Sequence, residues 1–193
     1  MKKIKLFFIL IVTINICLSA QKDSIYTDLE LAFQNPQNVK ILKLKNKKLY
    51  QLPSDIGLLE NLEILNLKRN KLTSLPSSIV NCKNLIKIDL SYNKFTTFPI
   101  ILKELPRLKD LNLYHNELEY LPSEIGEFIS LEKLDLGENH LTELPQQIKD
   151  LSNTLKELNL RLNVISLKHQ KEIREKYLPN TKIYFSAPCN CDL

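Results

Sequence analysis

The stretch LKDLNLYHNELEYLPSEIGEFIS, residues 108–130, decides the fold. Leu111 and Leu113 alternate with Asp110, Asn112 and Tyr114, the period of two expected of a strand with one buried face. Leu118, Leu121, Ile125 and Phe128 follow at wider spacing and must bury on the way back. Pro122 has no amide proton and a fixed φ, so the return is not a regular strand and is expected to be extended or 3₁₀-like. One such unit is a coil with an apolar interior that it cannot cover alone.

The same pattern, LxxLxLxxNxLxxLPxxIxxL, is written five times from Val39, and a shortened sixth copy runs to Asn163. The repeats start at Val39, Leu62, Leu85, Leu108, Leu131 and Leu155, a period of 23 broken by one extra residue around Ser152–Thr154. A repeat of this regularity predicts stacked coils whose strands pair in parallel. Asn70, Asn93, Asn116, Asn139 and Asn163 recur just past each strand, where an amide side chain can satisfy backbone groups in the bend. Lys47 takes that place in the first unit.

These residues, with Leu52-Pro53, Leu75-Pro76, Phe98-Pro99, Leu121-Pro122 and Leu144-Pro145 in the return segments, resemble the leucine-rich-repeat family, in its 23-residue Leu-Pro, bacterial secreted type. The resemblance covers residues 39–165. It implies an α/β solenoid shaped as an arc, with a parallel sheet on the concave face and short 3₁₀ or extended turns on the convex face. It also implies a binding module.

Both ends of such an array need closing. Thr27-Asp28-Leu29-Glu30 reads as a capping box, with Tyr26 and Leu31 as a hydrophobic staple, opening a helix from Asp28 to about Gln34 that Asn35-Pro36 stops. At the other end Ser166 is placed to cap a helix from Leu167 to Tyr177, and Lys182–Phe185 reads as a last strand. Ahead of all this, a basic Met1–Lys5, an apolar Leu6–Leu18 and the small residues Ser19-Ala20 form a secretory signal pattern, too short to span a bilayer. Ile16 before Cys17 argues against a lipid anchor. The expected division is therefore a signal peptide over 1–20, an N-terminal capping segment over 21–38 and six repeats over 39–165. A C-terminal cap over 166–185 and a flexible cysteine-containing tail over 186–193 complete it.

The formal charge of +5 falls to +2, 24 basic against 22 acidic residues, once Lys2, Lys3 and Lys5 leave with the signal. That balance does not support a nucleic-acid partner. Three Gly and no Trp argue against phosphate loops and most nucleotide folds. His115, His140 and His169 fall in different repeats or in the cap, with no metal spacing. Cys82 fills a slot that Leu59, Leu105, Phe128 and Leu151 occupy elsewhere and reads as core. Cys189 and Cys191 lie in the tail, where export would permit oxidation. No nucleophile, base and oxyanion site assembles, so no enzyme, metal or cofactor is expected.

Function is expected on the outward strand positions, the second, third, fifth, seventh and eighth of each repeat. Across the sheet they run from basic through aromatic to acidic: Lys40, Lys43 and Lys45, then Lys68 and Arg69, then Tyr92, Tyr114 and His115, then Glu132, Asp135 and Glu138, with Glu157 and Arg161 at the far side. Lys45, Lys68, Arg69, Tyr92, Tyr114, His115, Glu138 and Arg161 are the candidate partner-binding residues, Tyr and Arg being the types that anchor interfaces. The Asn and Asp residues at the fifth position read as polar filling compatible with a strand. The expected partner of the exported protein is another protein. A carbohydrate or envelope polymer, stacked on Tyr92 and Tyr114 with Asp89, Asn112 and Asp135 on its hydroxyls, is one alternative. An intracellular scaffold or signalling adaptor is the other.

Overall fold

The structure, a computed structural model, describes residues 25–186. The signal segment with Cys17, and Cys189 and Cys191, lie outside the described residues. Eight strands form one sheet in chain order: β1 (Ile25–Tyr26), β2 (Ile41–Lys43), β3 (Ile64–Asn66), β4 (Lys87–Asp89), β5 (Asp110–Asn112), β6 (Lys133–Asp135), β7 (Glu157–Asn159) and β8 (Lys182–Tyr184). Every neighbouring pair is parallel. Ile64 pairs with Lys87 and Lys87 with Asp110, the step of 23 that the repeat dictates. The Lys133–Glu157 step is 24. Its extra residue is absorbed on the far side, where the turn Gln146–Leu151 has six residues and Ser152 continues it in a helical conformation.

Each return segment is a 3₁₀ turn: Ser54–Leu58, Ser77–Asn81, Ile100–Glu104, Ser123–Glu127 and Gln146–Leu151. A proline precedes each, and its carbonyl accepts the amide proton three residues on, as from Ile125 to Pro122 at 3.1 Å. Proline suits that place because its φ is preset and its missing donor would have had no partner. Between strand and turn runs one apolar core. Leu111, Leu113, Leu118 and Ile125 are all fully buried, as are their counterparts in neighbouring coils. The strand side is held at the ladder spacing of about 4.8 Å while the wider turns stack opposite, which makes the sheet the inner side of the curve.

Three local features differ from the sequence expectation. The chain forms strand β1 on Ile25–Tyr26 ahead of the first repeat, pairing Tyr26 with Leu42. Two residues are too few to show alternation. The first helix, α1 (Leu29–Gln34), is capped by Asp28 rather than Thr27: Asp28 Oδ1 accepts from the Glu30 and Leu31 amides at 2.9 and 3.1 Å. Leu31, expected in a staple, is 56% exposed, while Tyr26 packs against the core. At the other end Ser166 Oγ accepts from the His169 amide as expected, but helix α2 is regular only over Leu167–Glu172. Ile173–Tyr177 is a wider turn, closed by the Leu178 amide on the Ile173 carbonyl. Buried Ala32 at one end and Ile173 and Leu178 at the other extend the core under these segments. No helix among the described residues is long and apolar enough to cross a membrane.

Candidate binding face

The outward residues of successive coils stand in files across the sheet, so each side chain has neighbours 23 residues before and after it. The buried asparagines set the frame. Asn93 Nδ2 donates to the Leu67 and Leu90 carbonyls at 3.1 and 2.9 Å, and its Oδ1 accepts from the Leu72 amide at 3.1 Å. Asn70, Asn116, Asn139 and Asn163 repeat the arrangement. They bind each coil to the one before it.

The fifth position is not filling. Asn66, Asp89, Asn112, Asp135 and Asn159 each present Oδ1 to the backbone amide two residues on, at 2.9–3.1 Å, so the file closes the end of every strand. Amide and carboxylate alternate along it, which keeps Asp89 and Asp135 from being neighbours. Even so, burial raises the Asp135 carboxyl above its usual range, with smaller contributions from Asp110 and Asp89. Asn112→Asp would put a third carboxylate between the two. A carboxyl whose folded pKa lies above its unfolded value of about 3.9 takes up protons on folding. Stability then falls as pH rises through the folded pKa and stays low above it. Asn112→Asp is expected to melt a few degrees below wild type at pH 7 and close to it at about pH 3. A difference independent of pH would show that the carboxylates do not interact.

At the eighth position Asn46, Arg69, Tyr92, His115, Glu138 and Leu162 all have φ between 54° and 59°. This left-handed conformation costs non-glycine residues roughly 1–2 kcal/mol, and none of the six is Gly. The strain is held by ladder bonds such as Tyr92 N–H to the Tyr114 carbonyl at 2.9 Å. Four side chains of the candidate site therefore sit on strained backbone.

Lys68, Arg69, Tyr92, Tyr114, His115 and Glu138 come together. The His115 ring stacks on Tyr92 with centroids 4.6 Å apart, and Tyr114 tilts against Tyr92 at 5.5 Å. Arg69 and Lys68, from the coil before, place their cationic groups 5.1 Å from the Tyr92 centroid. On the opposite side His115 Nδ1 lies 2.8 Å from Glu138 Oε2. The Glu138 carboxylate beside its hydroxyl pushes the Tyr114 phenol up to about 12, and Tyr114 first and His115 second hold Glu138 below the usual carboxylate range. Gly137 makes room for this: a Cβ there would stand 2.9 Å from Tyr114 Cδ2 and 2.8 Å from Asn159 Nδ2. Arg161 is elsewhere, over Tyr184 at 4.8 Å in the last coil, and Lys45 is an exposed neighbour of Lys68 in the seventh file.

The acidic end of the face is largely neutralised within the sheet, a correction to the charge gradient seen in sequence. Lys109 and Lys156 flank Glu132, with Lys109 at 2.7 Å, and hold its carboxyl down to about 2. Lys87 pairs with Asp110 at 2.6 Å and Lys133 with Glu157 at 3.3 Å. A hollow of about 220 Å³ between the last strands is lined by Asp110, Lys133 and Glu157 of these pairs, by Asp135 and by Arg161. Among the described residues no group of three His, Cys, Asp or Glu converges as a metal site would. Cys82 is fully buried, and burial first, then Glu60, pushes its thiol up to about 12, leaving it unreactive at neutral pH. His169 Nε2 accepts from the Leu144 amide at 2.9 Å, a structural role its sequence position did not suggest. Ser186, assigned from sequence to the tail, accepts from the Leu162 amide at 2.7 Å.

Models of the leucine rich repeat match residues 60–118 and residues 130–151. A leucine-rich-repeat protein of Leptospira interrogans is 31% identical, with a TM-score of 0.52 over 86% of this chain and 54% of that one. The chain thus spans about half that protein's length. Internalin C2 of Listeria monocytogenes shares the fold at 22% identity, with a TM-score of 0.66 over 83% of this chain and 66% of its own. The plant peptide hormone receptor RGFR1, solved in complex with RGF2, is 28% identical with a TM-score of 0.60, over 77% of this chain and 25% of the receptor. No curated protein matches the chain.

Proposed function

Since the chain is a leucine-rich-repeat protein, we propose that it binds another protein through the outward, concave face of its sheet. Tyr92, Tyr114 and His115 form the centre of contact, with Lys68, Arg69 and Glu138 around them and Lys45 and Arg161 at the margins. One observation carries this reading. Two tyrosines and a histidine, each outside the buried core, are packed together in the middle of the sheet, Tyr92 and His115 on strained backbone, with cations on one side and a carboxylate on the other. Rigid aromatic groups of this kind lose little entropy on binding and make good anchors. The receptor solved in complex with RGF2 supports a protein or peptide partner. Leucine-rich-repeat proteins are typically non-enzymatic scaffolds, and the reading here is binding without catalysis.

The segments flanking the coils serve as covers for the two ends. The signal pattern over 1–20 directs export, to the periplasm, the surface or the medium. Mass spectrometry of the exported protein is expected to place its N-terminus at Gln21, and a cytoplasmic form still starting at Met1 would contradict export. A sugar ring would need a free aromatic face, and Tyr92 lies between Arg69 of the preceding coil and His115 of the next, which favours protein over glycan.

Tyr92→Ala combined with Tyr114→Ala is expected to weaken a partner recovered from envelope or host extracts by roughly tenfold or more, with the melting curve preserved. Glu127→Ala, on the convex side where Glu127 pairs with Lys103 at 2.8 Å, should leave affinity unchanged. A silent tyrosine pair together with loss of binding on Glu127→Ala would refute the proposal.

A further inference from the structure

In coils three to six, sheet-face and rim lysines are matched across the files by carboxylates one coil away. Lys87 meets Asp110, Lys94 meets Glu117, Lys133 meets Glu157, and Lys109 and Lys156 share Glu132. Coils one and two depart from this. Only Lys40 has such a partner, Glu63. Lys43, Lys45, Lys47, Lys48, Lys68 and Arg69 form no ion pair among the described residues. Lys45 and Lys68 are neighbours in the seventh file, and Lys43 stands beside neutral Asn66 in the fifth. Like charges on adjacent strands repel. One end of the face thus carries an uncompensated positive field that runs directly into the Tyr92 ring through Lys68 and Arg69.

Building on the protein-binding reading, we infer that this N-terminal part of the face takes an acidic stretch of the partner polypeptide. Its carboxylates lie among Lys45, Lys68 and Arg69, and the following residue rests on the Tyr92–His115 stack. The C-terminal coils, whose sheet-face lysines are already paired, contribute little. Charge complementarity identifies the occupant. A nucleic acid fits less well, because single strands bind by stacking bases on open aromatic faces, and Tyr92 is flanked by Arg69 and His115.

The test is selection of random displayed peptides on the purified protein, followed by anisotropy titration of the winners at about 50 and about 300 mM salt. Selected peptides should be rich in Asp and Glu and should weaken at the higher salt. Lys45→Glu combined with Lys68→Glu should cost them roughly tenfold or more, with unchanged melting. Lys156→Gln, at the far end, should not affect them. Peptides with no acidic excess that are lost on Tyr92→Ala and Tyr114→Ala would sink the acidic assignment while sparing the binding face. Peptides indifferent to both pairs of changes would sink both. A heparin fragment or a short single-stranded DNA binding as tightly as the acidic peptides, and equally sensitive to the lysine changes, would overturn the polypeptide assignment.

Discussion

Leu113→Asp is expected to unfold the array. Leu113 is fully buried, and its counterparts one coil away, Leu90 and Leu136, are equally buried. Its amide donates to the Asp135 carbonyl at 2.8 Å, and its own carbonyl accepts from Asn116 and Asn139 Nδ2, both at 3.0 Å. Loss of the leucine side chain alone costs about 3 kcal/mol or more. A carboxylate left unpaired in a dry stack adds a penalty of several kcal/mol unless it protonates. The sum is comparable with the roughly 5–15 kcal/mol that holds a whole domain together. Because coils are stabilised by their neighbours, a break in the fourth leaves two short pieces, neither of which buries its own face. The cooperative melting transition should vanish or move down by tens of degrees. A melting point within a few degrees of wild type would mean that the inward positions have been misassigned.

The second large effect is Asn116→Ala, expected to cost about 3 kcal/mol, the sum of lost hydrogen bonds and one orphaned amide. Asn116 is 6% exposed, and its Oδ1 accepts from the amide of Phe95, itself 1% exposed. Its Nδ2 donates to the Leu90 and Leu113 carbonyls at 3.1 and 3.0 Å. After the change both carbonyls keep a bond from a neighbouring asparagine, Asn93 or Asn139. The Phe95 amide loses its acceptor at a buried position. Urea denaturation should show the loss in the midpoint with an unchanged slope. A change under about 1 kcal/mol would show that the bend is satisfied without the side chain.

The repeat was legible because each coil repeats the same physical problem. Leu111, Leu113 and Ile125 recur as buried positions, so one register error would have exposed them all. Proline at fixed places left an extended or a 3₁₀ return, and the structure takes the 3₁₀ one. Strand β1 was hidden because Ile25–Tyr26 is too short for a period. The cap moved from Thr27 to Asp28 because both residue types can cap, and only the backbone decides between them. The fifth-position file was missed for a different reason: an Asn or Asp bonding two residues ahead looks in sequence like any polar residue on a strand. Charge pairing was present in the repeat alignment, since Lys87, Asp110, Lys133 and Glu157 share one position. Reading each coil separately produced a gradient where the sheet makes mostly pairs. The closeness of Arg69, Tyr92, Tyr114, His115 and Glu138 followed directly from the period, whereas the separate setting of Arg161 depended on Tyr184 in a strand outside the repeats.

Hydroxyl-radical footprinting of the protein with and without its bound partner or selected peptide tests the central claim most directly. Binding on the sheet face predicts that Tyr92, Tyr114 and His115 become protected together, while Tyr120 and Ile129, 56% and 73% exposed, react as in the free protein. Protection of Tyr120 and Ile129 with Tyr92, Tyr114 and His115 unchanged would contradict it.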